Sequence, residues 1–319
     1  MKKSKKFAIN GVSIAPGQRE IVRLNVARLP SGTLISLRVH VYRSATPGPT
    51  LLVMGGVHGD EINGVEIVRE ALVRRYFESL ACGSVIAIPL LNIYGFINFS
   101  RDASDGKDVN RSFPGSRNGS LASRVAHALT KQVLPLVDFG IDFHTGGNAR
   151  YNYPQIRYTA ADDRADELAR AFAAPYLVRK PAIAKSLRKV AQTMGIPLLV
   201  YEGGESLRLD GFSIEKGLKG LRRLMRVEGL LAGEVAAVRP PLVFNKSTWV
   251  RAARSGLFRW AQQSGARVSA GEPLGVLHDP YGESRLPVLA SRDGYLIGHN
   301  NAPVVNQGDA LFHIGYRLE

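Results

Sequence analysis

Apolar residues follow two alternating patterns between residues 49 and 225. Short continuous apolar runs, most of them ending in glycine or polar residues, lie at 49–56, 84–91, 138–143 and 197–201. Apolar residues at helical spacing lie at 62–76, 121–136, 163–173 and 214–225. The continuous runs are typical of strands buried on both faces, and the wider spacing is typical of helices packed on a sheet. The alternation predicts an α/β fold with a mostly parallel sheet flanked by helices.

The two ends of the chain have a different pattern of apolar and polar residues. Residues 7–50 contain β-rich stretches, and after Pro240 and Pro241 short apolar stretches alternate with many glycines. These features predict a main domain over residues 1–240, with a β-rich N-terminal segment at 7–50. They also predict a small, β-rich C-terminal domain over residues 241–319.

The C-terminal segment contains an internal repeat. Residues 268–274 and 305–311 both read Val-x-x-Gly-acid-x-Leu, which indicates two related β halves in a small sandwich or barrel. The pattern resembles the barrel-sandwich fold of biotinyl and lipoyl carriers, which hold their cofactor on a lysine. Lys246 is the last lysine of this chain and precedes both repeats. We therefore expect a structural or gating module rather than a carrier.

Composition narrows the kinds of site that the chain can build. No apolar run approaches the roughly 20 residues that cross a bilayer. The basic start at 1–6 is not followed by the apolar core of a signal peptide, so we expect a cytoplasmic protein. Cys82 is the only cysteine, which excludes an internal disulfide and a cysteine-rich zinc site. Metal ligands would have to be His, Asp or Glu.

The formal net charge is +15, which is compatible with nucleic acid, with an anionic substrate, or with a merely soluble surface. The arginines are scattered, and the chain lacks the aromatic-basic alternation that stacks bases. This argues against nucleic-acid binding and favours a basic cleft that attracts a small anion. The sequence leaves formation of a homo-oligomer open.

Candidate metal ligands follow two of the predicted strands. His58 and Glu61 lie where the strand at 49–56 gives way to a helix, and His144 follows the strand at 138–143. Ligands of open α/β sheets collect at the carboxyl ends of strands, and zinc binds imidazole and carboxylate groups. His-x-x-Glu alone is more typical of a polar turn than of a metal site, but three ligands with an open fourth position are typical of a catalytic zinc site. The sequence predicts one Zn²⁺ per chain, with Asp142 orienting a ligand.

A third strand end supplies a candidate proton carrier. Glu202 follows the apolar run at 197–201 and precedes two glycines, so it could take a proton from water and return it to a leaving amine. Glu205 is a nearby competitor for this role.

A polar loop at 98–113 carries candidate substrate contacts. Arg101 could stabilise a developing oxyanion, while Asn110 and Arg111 could hold a substrate carboxylate. Taken by itself, a polar loop of this kind is more typical of a solvated face.

Taken in order, these motifs resemble the succinylglutamate desuccinylase/aspartoacylase family, which is related to the zinc carboxypeptidases. The resemblance covers about residues 45–235 and rests on His-x-x-Glu at 58–61, Asp-Val-Asn-Arg at 108–111, Asp-Phe-His at 142–144 and Tyr-Glu-Gly-Gly at 201–204. Residues 145–147 resemble a bacterial branch near the N-acetyl-diaminobutyrate deacetylases, which leaves the acyl group and the amino acid open.

The resemblance implies a zinc-dependent amidohydrolase that cleaves a small anionic N-acyl amino acid to a carboxylate and a free amine. It implies zinc on the two histidines and the glutamate named above, and Glu202 as general base and acid. It also implies Arg101 near the scissile carbonyl and Asn110 with Arg111 on a carboxylate.

Two alternatives remain open. The same zinc and Asn-Arg pair could serve a metallocarboxypeptidase that acts on peptide C termini, unless the C-terminal β domain covers the cleft. The chain could also be a non-catalytic anion-binding or nucleic-acid-binding protein on the same fold. The presence of all three ligands and Glu202 argues against the second alternative, and a salt-sensitive interaction with DNA would support it.

Overall fold

The computed structural model describes residues 7–28 and 31–318, so the basic start at 1–6 lies outside the described residues. The strands within these ranges are β1 Ala8–Ile9, β2 Val12–Ser13, β3 Arg19–Arg28, β4 Leu34–Arg43, β5 Thr50–Gly55, β6 Ser84–Ile88, β7 Phe139–Gly146, β8 Arg150–Tyr158, β9 Tyr176–Arg179, β10 Leu198–Glu205, β11 Leu242–Arg251, β12 Gly256–Trp260, β13 Arg267–Val268, β14 Pro273–His278, β15 Arg285–Leu289, β16 Gly294–Asn300, β17 Val304–Val305 and β18 Ala310–Leu318. The α-helices are α1 Ile62–Val73, α2 Ile93–Ile97, α3 Leu121–Gln132, α4 Asp163–Phe172, α5 Leu187–Thr193 and α6 Gly211–Val227. Short 3₁₀ helices lie at Val109–Arg111 and Leu134–Leu136.

One large sheet organises the fold. It contains twelve of the described strands, in the order β13-β16-β18-β11-β9-β8-β10-β7-β5-β6-β4-β3. Strands β6, β5, β7 and β10 run parallel to one another. Strand β8 is antiparallel to β10, and β4, which forms a hairpin with β3, is antiparallel to β6.

The prediction of a mostly parallel sheet therefore holds for the central strands, and the sheet as a whole is mixed. Only residues 147–149 separate β7 from β8. A parallel return needs a crossover of a dozen or more residues, so β8 must run back against the direction of β7.

Central strands are buried on both faces by helices. In β5, Leu51 and Val53 belong to one apolar core, and Leu52 and Met54 belong to another. Successive strand residues point to opposite faces, which explains why this segment reads as a continuous apolar run. Helices α1, α4 and α6 cover the first core, and α3 and α5 cover the second. Among the described helices, none has the length and apolar character to cross a membrane.

The C-terminal strands form two layers with a common core. Strands β12, β14, β15 and β17 make a separate four-stranded sheet, and its apolar side chains cluster with those of β11, β16 and β18. Strand β11 also pairs with β9, and β16 pairs with β8, so the C-terminal segment extends the large sheet. The domain limits of 1–240 and 241–319, and the barrel-sandwich assignment, stay predictions.

The internal repeat builds two equivalent turns. In each turn the acid, Glu272 or Asp309, accepts a hydrogen bond from the backbone N–H three residues earlier, at 2.9 and 2.8 Å. The preceding glycines, Gly271 and Gly308, have φ of 81° and 89°, in the left-handed region that favours glycine. The repeated glycine and acid therefore have a structural explanation as turn residues.

Candidate metal centre

The candidate ligands lie together because parallel strands end at one edge of the sheet. His58 follows β5, and His144 lies near the end of β7, the parallel neighbour of β5. Glu202 is the register partner of His144 in the adjacent parallel strand β10. Glu61 immediately precedes α1, which packs against β7. Residues far apart in sequence thus share one edge of the sheet.

The three predicted ligands form a compact, buried cluster. His58 Nδ1 lies 2.8 Å from one Glu61 carboxylate oxygen, and His144 Nδ1 lies 2.8 Å from the other. One nitrogen or oxygen from each of the three residues lies within 4.8 Å of the other two. All three side chains are buried, so the cluster is shielded from bulk water. The structure brings together the residues that the sequence proposed as ligands.

The second ring nitrogen of each histidine contacts a further carboxylate. His58 Nε2 lies 3.2 Å from Asp108, and His144 Nε2 lies 2.7 Å from Asp142. A carboxylate on one ring nitrogen, with the other nitrogen facing the site, is typical of histidines that bind metals. Asp142 has the orienting position that the sequence suggested. Asp108 has the same position for His58, a contact that its place in the Asp-Val-Asn-Arg motif did not reveal.

The charges in the cluster favour a cation at its centre. Burial disfavours the Glu61 carboxylate, but His58 and His144 outweigh burial and hold its pKa well below the ordinary value. Burial disfavours the charged form of His144, but Asp142 and Glu61 outweigh it and raise its pKa well above 6.5. Protonated histidines stabilise the neighbouring carboxylates through their positive charge. A bound cation would stabilise the same carboxylates, so the site is suited electrostatically to a metal.

The balance of fixed charges suits a divalent ion. Arg101 places its two terminal nitrogens 3.0 Å from Glu61 and 2.9 Å from Asp108. Glu61, Asp108 and Asp142 contribute three negative charges and Arg101 one positive charge, which leaves two negative charges when the histidines are neutral. The donor set of two imidazoles and a carboxylate fits a catalytic zinc site, with a position left for water or substrate.

Glu202 lies beside this cluster and is fixed by the next strand. Its Oε1 lies 2.9 Å from Arg157 Nη1, and its Oε2 accepts a 2.8 Å hydrogen bond from the Asn152 amide. Both partners belong to β8, a strand that the sequence pattern did not predict. Glu205, the competing acid, accepts a hydrogen bond from Asn301 instead. The sequence pattern gave no indication of the contact between Arg157 and Glu202.

A cavity of about 480 Å³ is lined by the three candidate ligands and by Glu202. Its lining is strongly polar and includes five arginines: Arg101, Arg111, Arg150, Arg157 and Arg188. Burial, together with the nearby Arg157, lowers the pKa of Arg188 to about 10. Ile183 and Trp249 add apolar surface, and Trp249 comes from the C-terminal segment. Sequence reasoning missed Arg188 and Trp249, because neither lies at a glycine-bounded strand end.

The predicted substrate pair lies at this cavity but has contacts of its own. The amide oxygen of Asn110 accepts a 2.9 Å hydrogen bond from the backbone N–H of Leu187, where α5 begins. Arg111 is exposed and donates to the Asn110 carbonyl at 2.8 Å. Both residues line the cavity, so they remain candidates for binding an anionic group.

A buried His-Glu-His cluster backed by carboxylates, at the carboxyl edge of an α/β sheet, defines a candidate metal-dependent enzyme. Residues 47–227 match the family model of the succinylglutamate desuccinylase/aspartoacylase catalytic domain. The match spans more than half of the chain, and the protein belongs to this family. The resemblance drawn from the sequence motifs is thereby confirmed.

Individual relatives agree with this assignment. The chain is 29% identical over 288 residues to an N-alpha-acetyl-L-2,4-diaminobutyric acid deacetylase of Halomonas elongata, covering 85% of this chain and 83% of that protein. A succinylglutamate desuccinylase/aspartoacylase from Rhodobacter sphaeroides is 27% identical, with a TM-score of 0.83 and coverage of 93% and 96% of the two chains. The product-bound ectoine utilization protein EutE (DoeB) of Ruegeria pomeroyi is 24% identical, has a TM-score of 0.86 over 99% of this chain and 100% of that chain, and shows the shared fold.

Proposed function

We propose that the protein is a zinc-dependent amidohydrolase that converts a small N-acyl amino acid to a carboxylate and a free amino acid. The observation that carries this proposal is the placement of Glu202 opposite His144 in the register of β10 and β7. This register puts a fixed carboxylate beside a cluster with the donor set of a catalytic metal site. The related deacetylase of Halomonas elongata supports the choice of amide hydrolysis.

His58, Glu61 and His144 would hold one zinc ion per chain. Bound zinc supplies Lewis acidity, which lowers the pKa of water and polarises a carbonyl group. Asp108 and Asp142 keep the two imidazoles oriented toward the common centre. Their contacts fix which ring nitrogen faces the metal position.

Glu202 performs the proton transfers in this proposal. Its carboxylate accepts a proton from the attacking water and then delivers that proton to the amide nitrogen as the C–N bond breaks. Arg157 and Asn152 each hold one of its oxygens, so the carboxylate has a fixed position. Arg101 contacts the candidate ligand Glu61. In this proposal it donates a hydrogen bond to the carbonyl oxygen of the substrate amide as negative charge develops there.

The other cavity residues select the substrate. Asn110, through its amide N–H groups, and Arg111 bind the carboxylate of the amino acid. The partly buried Arg188 adds positive charge to the cavity lining. Trp249 and Ile183 offer apolar surface to a short acyl group. Trp249 belongs to β11, so part of the C-terminal segment walls the cavity, which supports a small substrate over a peptide.

The test is a substrate panel on protein stripped of metal and reloaded with zinc. The panel contains N-acetyl, N-formyl and N-succinyl amino acids, including N-acetyl-2,4-diaminobutyrate, together with peptides that have free C termini. We expect zinc-dependent release of free amine from at least one N-acyl amino acid. If the protein releases C-terminal residues from the peptides and does not hydrolyse any N-acyl amino acid, the result would favour a carboxypeptidase. Zinc-loaded protein without turnover, but with salt-sensitive binding to DNA, would favour the non-catalytic alternative.

A further inference from the structure

A second cavity lies apart from the catalytic residues, between α6 and the segment at 235–240. Its volume is about 900 Å³, almost twice that of the cavity at the metal centre. Tyr153 of β8, Tyr176 of β9 and Tyr295 of β16 line it together with the helix and the segment. The proposed hydrolase activity does not use this space.

Positive charge dominates the lining of this second cavity. One acid, Glu215, lies among seven cationic side chains: Arg74, Lys216, Lys219, Arg222, Arg223, Arg226 and Arg239. Glu215 is 2.7 Å from Arg74 and so is already paired. The difference between seven cations and one acid leaves six positive charges around the cavity, which is a strong local attraction for an anion.

Four of these cations form a stripe along α6. Lys216, Lys219, Arg223 and Arg226 are spaced by three, four and three residues, so they lie on one face of the helix. Like charges at these spacings repel one another and destabilise a helix. A bound anion would relieve this repulsion.

Two arginines of the stripe have buried nitrogens without acceptors. Arg223 Nε and Nη1, and Arg226 Nε, are inaccessible to solvent and have no hydrogen-bond partner in the part of the chain that the structure describes. Buried polar groups in proteins are normally hydrogen-bonded. Both arginines line the cationic cavity and have unused donors that could serve an acceptor on a ligand.

Aromatic rings line the same cavity. Tyr153 and Tyr176 have ring centroids 4.9 Å apart, and Tyr176 and Tyr295 have ring centroids 6.1 Å apart. Tyr153 and Tyr295 are only partly buried, so part of each ring remains open to contact. Tyrosine rings provide surfaces on which a planar base can stack. The cavity thus offers cationic and aromatic surface to one ligand.

We propose that this cavity binds a nucleotide, with its phosphate groups on Lys219, Arg223 and Arg226 and its base against the tyrosines. Phosphate oxygens match the planar donor fork of arginine, and a chain of phosphates carries enough charge to offset a row of cations. A single carboxylate would leave most of the charge uncompensated. The assignment does not depend on the proposed amide hydrolysis.

Calorimetric titration of the zinc-loaded protein with ADP, diphosphate and adenosine tests the assignment. We expect one ADP per chain, weaker binding of diphosphate, and no measurable binding of adenosine. The variant Lys219→Met/Arg223→Met should weaken ADP binding at least tenfold. The control Arg117→Met/Lys131→Met removes the same charge at exposed positions outside both cavities and should bind ADP as the unaltered protein does.

The zinc content of both variants, and their thermal melting, checks that they are folded. ADP binding that the first variant leaves unchanged would overturn the assignment, as would equal weakening in both variants. Diphosphate binding as tight as that of ADP would overturn the aromatic part of the site. A short RNA that binds more tightly than ADP, and loses that binding in the first variant, would replace the nucleotide with a nucleic acid.

Discussion

Glu202 and Arg157 form an ion pair, with Oε1 and Nη1 2.9 Å apart, across the boundary between β10 and β8. Asn152, also on β8, donates to the other oxygen of Glu202 at 2.8 Å. The carboxylate is therefore held at both oxygens by one antiparallel strand, while its own strand sets it opposite His144. Such fixation matters because proton transfer requires the base within hydrogen-bond reach of its proton.

Glu202→Gln should abolish most turnover and leave the metal in place. The amide cannot accept the proton, and general acid–base catalysis typically contributes about 10²- to 10⁴-fold. We expect kcat to fall by about this factor, with one zinc still bound per chain. Steady-state kinetics and metal analysis on the same preparation measure both quantities.

The matched control for this variant is Glu205→Gln. Glu205 lies on the same strand and accepts a hydrogen bond from Asn301, so its amide should change kcat by less than a few-fold. Full activity in Glu202→Gln, or an equal loss in both variants, would remove Glu202 from its proposed role.

Asp142→Asn should weaken zinc binding without removing a ligand. Asp142 lies 2.7 Å from His144 Nε2, and loss of such supporting carboxylates typically lowers metal affinity about 10- to 100-fold. Competition with a chelator measures the change. Asp138→Asn is the control, because Asp138 precedes the same strand at its other end and accepts from Thr50 N at 2.8 Å. Equal zinc affinities in the two variants would contradict an orienting role for Asp142.

The central strands of the sheet and the group of candidate metal ligands could be predicted from sequence because both depend on local patterns. β5 and β10 are buried by helices on both faces, so they read as apolar runs, and the glycines after them mark where side chains can approach a ligand. His58 and Glu61 are three residues apart, which keeps them together whatever the wider topology. His144 joins them because β7 and β5 are parallel neighbours.

The partners of Glu202 could not be predicted in the same way. Strand β8 contains Asn152, Pro154 and two arginines, and proline within a run argues against a central strand. Its role depends on pairing with β10, β9 and β16, which are distant in sequence. Arg188 and Trp249 reach the cavity through the same kind of long-range packing, which leaves no local signature.

Gly64→Ala should disturb the metal centre through the backbone. A Cβ at Gly64 would lie 2.2 Å from the carbonyl oxygen of Phe143, so α1 would have to move away from β7. Overpacking of this kind typically destabilises a protein by about 1–3 kcal/mol. The shift would also separate Glu61, just before α1, from His144, so we expect weaker zinc binding along with a lower Tm.

Gly211→Ala provides the contrast to Gly64→Ala. Gly211 begins α6, and a Cβ there would meet no atom within 4 Å. The change should be neutral or stabilise by about 0.4–1 kcal/mol through the unfolded chain. Equal Tm values and equal zinc affinities in the two variants would show that the close packing of α1 on β7 does not position Glu61.

Acid should destabilise the fold through buried neutral histidines away from the metal centre. Burial lowers the pKa of His299 from 6.5 to about 4, and burial with the charges of Arg157 and Lys180 lowers the pKa of His313 well below 6.5. Between about pH 4 and pH 6.5 the unfolded chain binds more protons at His299 than the folded chain does, so the free energy of unfolding falls as the pH falls. The contribution of His299 is complete above pH 6.5 and is lost progressively down to about pH 4, a change of about 3 kcal/mol.

His299→Gln isolates this contribution, because glutamine cannot be protonated in that range. The His299 ring has hydrogen-bond and stacking partners, Ser264 at 2.7 Å and the rings of Tyr151 and Trp260, so the variant should be less stable at pH 7. The informative quantity is therefore the slope of unfolding free energy against pH, measured by urea denaturation from pH 7 to pH 4. We expect a shallower slope in the variant, by up to about 1.4 kcal/mol per pH unit. An unchanged slope would show that His299 titrates alike in the folded and unfolded chains.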